Sequence, residues 1–299
     1  MGAQLRLLRR RIKSVRSTAK ITRAQELIAS SRIVKAQQRM QAAVPYEREI
    51  TRAVTGVVSN TDSVDHPLTV AKERPAKAAV LIVTSDRGFC GGFNANILRE
   101  AEALSTLLKG RGVAPIPFVV GRKGITWHTF RGREMGGRWD GFSDNPSYPD
   151  AKRIADTLIE AFSEENGVDE IHIVSTGFVS MLTQEVAIKR ILPLVVEETS
   201  EKPDIPLPYF EFEPTSGDVL DSLLPRYVES RIFSALLQSA ASEHASRRRA
   251  MKSATDNANE LIRMFTMQMN QARQAEITQE ISEIVGGANA LADAAAGKE

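Results

Sequence analysis

The sequence predicts an α/β protein in which the two ends of the chain form a long antiparallel coiled coil. A central domain with a mostly parallel sheet lies between them in sequence. Three observations carry this reading. From Arg226 to Val285 the chain runs 60 residues without glycine or proline. From Ala3 to Val44 it does so again, over 42 residues. Between these stretches, short apolar runs alternate with helical stripes. An average helix has about 11–12 residues. Unbroken helix over the longer stretch would span about 90 Å, more than an ordinary single-domain core can bury.

The first segment, 1–59, is expected to be the N-terminal helix of the coil. Leu5, Leu8, Ile12, Val15 and Ala19 recur at steps of three and four, one apolar stripe on a helix. Across it stand Arg6, Arg9, Arg10, Lys13, Arg16, Lys20 and Arg23. Residues 1–44 hold eleven Lys and Arg against one acid, Glu26. A basic stripe of this kind attracts an acidic partner, whether nucleic acid, anionic lipid or an acidic protein loop. No aromatic residue occurs in 1–44, so there is no interleaved platform for stacking bases.

After a polar linker that contains Pro67 and Pro75, residues 76–212 are expected to form the α/β domain. Ala78–Ser85 is an apolar run without alternation, as in a strand covered on both faces. A helix over 94–109, a strand over 116–120, a short helix over 121–130 and a loop over 131–150 follow. A helix over 151–163 and strands over 170–175 and 186–196 complete the domain. Alternation of strand and helix predicts a Rossmann-like arrangement.

The loop Thr84-Ser-Asp-Arg-Gly-Phe-Cys-Gly-Gly-Phe-Asn94 sits where doubly wound folds bind ligands. Its glycines fit neither the dinucleotide nor the P-loop spacing. A tight structural turn with positive φ at Gly88, Gly91 or Gly92 explains them better than a nucleotide site does. The four histidines are scattered without metal-ligand spacing. Cys90, the single cysteine, excludes an internal disulfide; nearby Arg87 would lower its pKa, but no base accompanies it. No catalytic, cofactor-binding or metal-binding residue is expected.

The last segment, 218–299, is expected to be the C-terminal helix. Its seam runs Phe233, Leu237, Ala241, His244, Arg248, Met251, Ala254, Ala258, Leu261, Phe265, Met269 and Ala272, close to a heptad repeat. Alanine, His244 and Arg248 make it a weak zipper, either a plain structural coil or one whose outer surface also has work to do. Of the 14 residues from Gly286 to Glu299, nine are Ala or Gly. Either the helix frays there or its tip is kept narrow to fit inside something. Net charge is only +2, and no apolar run is long enough to cross a membrane. The Arg-rich start lacks the apolar core of a secretory signal.

Several motifs resemble one family. Ile277-Thr-Gln-Glu-Ile-Ser-Glu-Ile-Val-Gly-Gly-Ala-Asn-Ala290 is similar to the C-terminal signature of the γ subunit of F-type ATP synthases. Ser242–Asn257, Ala272–Ala275, Lys20–Ala29, Ser85–Asn94 and Leu224–Glu229 resemble the same family, in order along nearly the whole chain. The resemblance implies a non-catalytic rotor shaft coupling a membrane ring of c subunits to the catalytic β subunits. It implies α, β, ε and the c-ring as partners and no nucleic acid. Membrane attachment would come only through the c-ring, at the cytoplasmic face of the plasma membrane. It places Arg247, Gln274, Thr278, Glu280 and Gln25 against the β subunit, facing outward. Ile284, Val285 and Leu291 fall in the apolar bearing of the head, and Phe210, Phe212 and Glu213 at the foot on the c-ring. Many members carry Met where this chain has Gln25.

Three other readings stay open on the residues alone. A nucleotide-binding α/β enzyme would bind ATP or NAD in isolation. A nucleic-acid binder would show steep salt dependence. A free-standing coiled-coil scaffold would purify as a homodimer.

Overall fold

The computed structural model describes residues 2–59, 68–69, 72–194, 213 and 215–296. Its elements in chain order are α1 (Gly2–Ser59), β1 (Lys77–Val83), α2 (Phe93–Gly110), β2 (Ala114–Val120), α3 (Arg122–Phe130), β3 (Gly137–Trp139), α4 (Tyr148–Ser163), β4 (Glu170–Phe178), β5 (Gln184–Leu192) and α5 (Ser216–Ala296). The chain divides into two compact units, Met1–Leu27 with Ala250–Glu299, and Ile28–Arg249. The compact units cut across both terminal helices.

In the first unit, α1 and α5 pair through the stripe read from sequence. Leu5, Leu8 and Ile12 are buried, while Arg6, Arg9, Arg10, Lys13, Arg16, Lys20 and Arg23 are exposed. The Thr22 and Thr255 hydroxyls meet at 2.7 Å, and the Arg11 guanidinium lies 5.9 Å from the Phe265 ring centroid. As residue number falls along α1 it rises along α5, so the pair is antiparallel.

The second unit holds a five-stranded sheet in the order β3-β2-β1-β4-β5. β1 pairs in parallel with β2 and β4, and β2 with β3; β5 runs antiparallel to β4. Leu81 of β1 stands between Phe118 of β2 and Ile173 of β4. One face of the sheet carries α2, whose Ile97, Leu98, Ala101, Leu104 and Leu108 pack on Ala78, Val80 and Ile82. The other face shares one core with α4 and with the terminal helices. There Leu81, Ile171 and Ile173 meet Ile154 and Leu158 of α4, Val54 and Val57 of α1, and Leu224, Val228, Ile232 and Leu236 of α5. The sheet is thus built onto the helices rather than tethered beside them.

Pro45 lies inside α1 and Pro225 inside α5. An interior proline costs about 3 kcal/mol. Burial on either side outweighs it, through Ile33 and Ile50 around Pro45, and Leu224 and Val228 around Pro225. Two further differences lie in 131–150, read from sequence as a loop. It contains β3, and α4 begins at Tyr148, where a capping box between Ser147 and Asp150 sets its first turn. At the other end, α5 continues through Gly286 and Gly287 to Ala296.

Candidate functional site

The carboxyl end of β1 is where an α/β sheet would hold a ligand. Here it is built as a pinned turn. The Thr84 hydroxyl donates to the Val120 carbonyl (2.7 Å) and accepts the Gly124 amide (3.0 Å). Gly121 has φ 93, and a Cβ there would lie 2.3 Å from the Thr84 carbonyl oxygen, so only glycine fits. The Asp86 carboxylate accepts the amides of Arg122 (3.1 Å), Gly141 (2.9 Å) and Ser143 (2.9 Å). Burial raises its pKa, but these amide bonds and the Ser143 hydroxyl outweigh burial and hold it below the usual range. Asn94 brackets Ser85 and Cys90. Burial pushes the Cys90 thiol up, against the lowering expected from Arg87. Of the three glycines that sequence offered for positive φ, Gly91 adopts it, at 58°. So does Phe89, at 61°, with its ring 80% exposed.

α5 bonds to this turn and to the neighbouring end of β4. The Ser242 hydroxyl donates to the Thr176 carbonyl at the end of β4 (3.3 Å). Arg247 donates to the carbonyls of Arg87 and Gly88 (3.3 Å each) and to the Glu243 carboxylate (2.6 Å). The His244 Nε2 donates to the Asp144 carbonyl at 3.1 Å, which leaves Nδ1 to accept from Arg247. Asp144 takes Arg32 of α1 at 2.5 Å. Burial pushes the Glu243 carboxyl up against the pull of Arg247. Burial also pushes His244 down to about 4, so it is neutral at physiological pH. These groups lock the β1 turn, the 140–147 loop, α1 and α5 together.

Arg247 therefore does not face outward as expected; it is 8% exposed, and its donors are turned into the unit. The neighbour assigned to the seam, Arg248, is half-buried. Sequence reasoning missed Glu243, Asp144 and Arg32. An i, i+4 acid–base pair at 243 and 247 was the one available signal.

In the first unit the expected contact residues are on the surface. Gln25, Gln274, Thr278 and Glu280 are exposed, and from Ile277 to Asn289 every position of α5 is exposed. Among these, Ile277, Ile281, Ile284 and Val285 carry 45–71% of their surface to solvent. Leu291 falls within the helical span, beyond the residues whose side chains are described. Beside Gln25, an open groove is lined by Arg9, Lys13, Arg16, Lys20 and Arg23 against one acid, Asp256. Phe210 and Phe212 lie outside the described residues, and Glu213 is exposed. Among the described residues no cluster of His, Cys, Asp and Glu could hold a metal ion. No helix among them is long and apolar enough to cross a membrane.

These features define a class: an antiparallel helical pair whose two arms flank an α/β domain in sequence, with residues 277–289 of the C-terminal arm exposed all round. The family model described as ATP synthase matches residues 4–291. The chain is 62% identical over 295 residues to the ATP synthase gamma chain of Acidothermus cellulolyticus, covering 97% of this chain and 98% of that one. It is 56% identical to the ATP synthase gamma chain of Thermobifida fusca, with both covered in full. The fold is similar to the rotor of the Euglena gracilis mitochondrial ATP synthase, with TM-score 0.68 at 15% identity, covering 93% of this chain and 100% of that one. In another rotational state of that assembly the TM-score is 0.70 at 16% identity, over 97% and 95% of the two chains. The chain belongs to the ATP synthase gamma chain family, the central-stalk rotor subunit of F-type ATP synthases.

Proposed function

We propose that this chain transmits torque between the membrane c-ring and the catalytic β subunits during proton-driven ATP synthesis, and performs no catalysis itself. The observation that carries this reading is the bare end of α5. Residues 277–289 are solvent-exposed all round yet present Ile277, Ile281, Ile284 and Val285. An apolar helical end of that kind needs a surrounding partner. Ile284, Val285 and Leu291 are the bearing tip within the head.

Gln25, Gln274, Thr278 and Glu280 are proposed as β-subunit contacts. Their exposed amide, hydroxyl and carboxylate groups can make directional bonds that an apolar surface cannot. The basic groove beside Gln25 suits an acidic loop on the β subunit, since opposite potentials favour correct registration. Arg247 is proposed to act with this set from its buried position, by fixing the turn at Arg87 and Gly88. Phe210, Phe212 and Glu213 form the foot on the c-ring, and ε docks on the α/β domain. The complex lies at the cytoplasmic face of the plasma membrane, and this chain reaches the bilayer only through the c-ring.

Affinity purification of the tagged chain from native membranes tests the reading. Recovery with α, β, ε and c subunits is expected. Recovery of a homodimer free of them, or micromolar ATP binding by the isolated chain, would overturn it.

A further inference from the structure

The rotor reading uses the helical pair and the loop after β1 and places ε on the α/β domain without naming a face. It assigns no residue on the sheet face that carries α2 and α3. That face lies opposite the one on which α1, α4 and α5 pack. A groove of about 420 Å³ runs between α2 and α3, lined by Leu98, Arg99, Glu102, Lys123 and Trp127 with Asn94 and Ala95. Its aromatic wall is fixed. The Arg131 guanidinium lies 3.9 Å from the Trp127 ring centroid and Arg133 5.0 Å from it, while His128 packs edge-on at 4.8 Å. Arg133 is in turn held by Glu102.

The groove wall carries one acid, Glu102, which Arg133 engages, while the segment along α3 is basic. Residues 122–133 contain Arg122, Lys123, Arg131 and Arg133 and no acid. Arg122 is matched by Asp140 (3.0 Å) and Arg133 by Glu102. Lys123 and Arg131 are exposed and meet no carboxylate among the described residues. At the end of α3, Phe130 is 88% exposed. Tryptophan and arginine in a fixed pocket are the residue types that dominate binding energy at protein interfaces.

We propose that this groove docks an acidic peptide segment with an apolar anchor. The anchor lies on Leu98 and Trp127, and its flanking carboxylates face Lys123 and Arg131. A lone tryptophan with cations at its rim suits one buried side chain among acids better than a run of stacked bases. The inference does not rest on the rotor reading.

The test uses the full-length chain, alone and in its assembled complex, with a fluorescein-labelled peptide of alternating glutamate and leucine. Fluorescence anisotropy should show saturable binding that weakens as salt rises. Trp127→Ala and the double change Lys123→Glu with Arg131→Glu should each weaken it by about tenfold or more. The double change touches only exposed side chains and keeps the test decisive if Trp127→Ala fails to fold. Unchanged binding by the charge-reversed protein would overturn the proposal. So would equal or tighter binding of a lysine–leucine peptide, single-stranded DNA or phosphatidylserine vesicles.

Discussion

Arg247 and Glu243 stand one turn apart on α5, joined at 2.6 Å and both almost wholly buried. The guanidinium spends its remaining donors on the carbonyls of Arg87 and Gly88, so this pair ties the longest helix to the turn after β1. Removing one partner leaves the other uncompensated. Arg247→Ala should therefore destabilise the chain by about 3–5 kcal/mol. The double change Glu243→Gln with Arg247→Met should recover much of that loss. Denaturant melts of the three proteins decide it, and a single variant as stable as wild type would show that the pair does not brace the unit.

His244 makes stability pH-dependent. Its pKa is lowered from 6.5 to about 4 by burial, with Arg247 and Arg32 adding to the shift and Asp144 opposing it. A base with a depressed folded pKa contributes stability above its unfolded pKa. That contribution is lost as pH falls from about 6.5 toward 4, and totals up to about 3 kcal/mol. Glu243, with its raised pKa, acts with the opposite sign. Comparison with His244→Gln isolates the histidine: the gap between the two proteins should shrink as pH drops through that window. A gap independent of pH would contradict the assignment.

The legible part of this fold is the part with one partner. Leu5, Leu8 and Ile12 repeat at helical spacing because α1 buries a single stripe there, and they are buried as read. Around Arg247 and Arg248 the seam slips by one residue. α5 is covered there by the sheet, the β1 turn and the 140–147 loop, and every position from Ser239 to Ala245 is buried. No single periodicity marks a helix enclosed on several sides. β3 was not legible because three residues, Gly137–Trp139, carry too short a pattern. Arg247 reaches the Gly88 carbonyl from 159 residues further along the chain, a long-range contact that no local pattern encodes.

Gly121 and Gly132 both have positive φ, but they differ in their surroundings. A Cβ at Gly121 would meet backbone, whereas one at Gly132 meets nothing within 4 Å. Gly132→Ala should cost about 1–2 kcal/mol through strain alone. Gly121→Ala should cost more than twice as much, read as loss of soluble protein or a much lower melting temperature.

Thr22 and Thr255 share a hydrogen bond inside the helical pair. Thr22→Val leaves the Thr255 hydroxyl to its bond with the Met251 carbonyl. The single change should cost about 1 kcal/mol. Thr255→Val added to it should cost little more, so the double-mutant cycle should reveal a coupling of about that size. Strict additivity would show that the bond contributes nothing.

Gln274 is exposed on α5, so Gln274→Ala should leave thermal stability within about 0.5 kcal/mol of wild type. The hydrogen bond proposed from Gln274 to the β subunit would be worth about 1 kcal/mol. ATP synthesis in inverted membrane vesicles should accordingly fall several-fold while the assembled complex is recovered in normal amount. Unchanged synthesis would remove Gln274 from the contact set.

Rotation of this chain inside the assembled complex tests the torque account most directly. The catalytic head is fixed to a surface, and a gold bead is attached through a cysteine introduced at exposed Lys109, in a protein whose buried Cys90 is left in place. With ATP supplied, the bead is expected to turn steadily in one direction and to stop when ATP is withdrawn. A complex that hydrolyses ATP while the bead stays still would contradict the account.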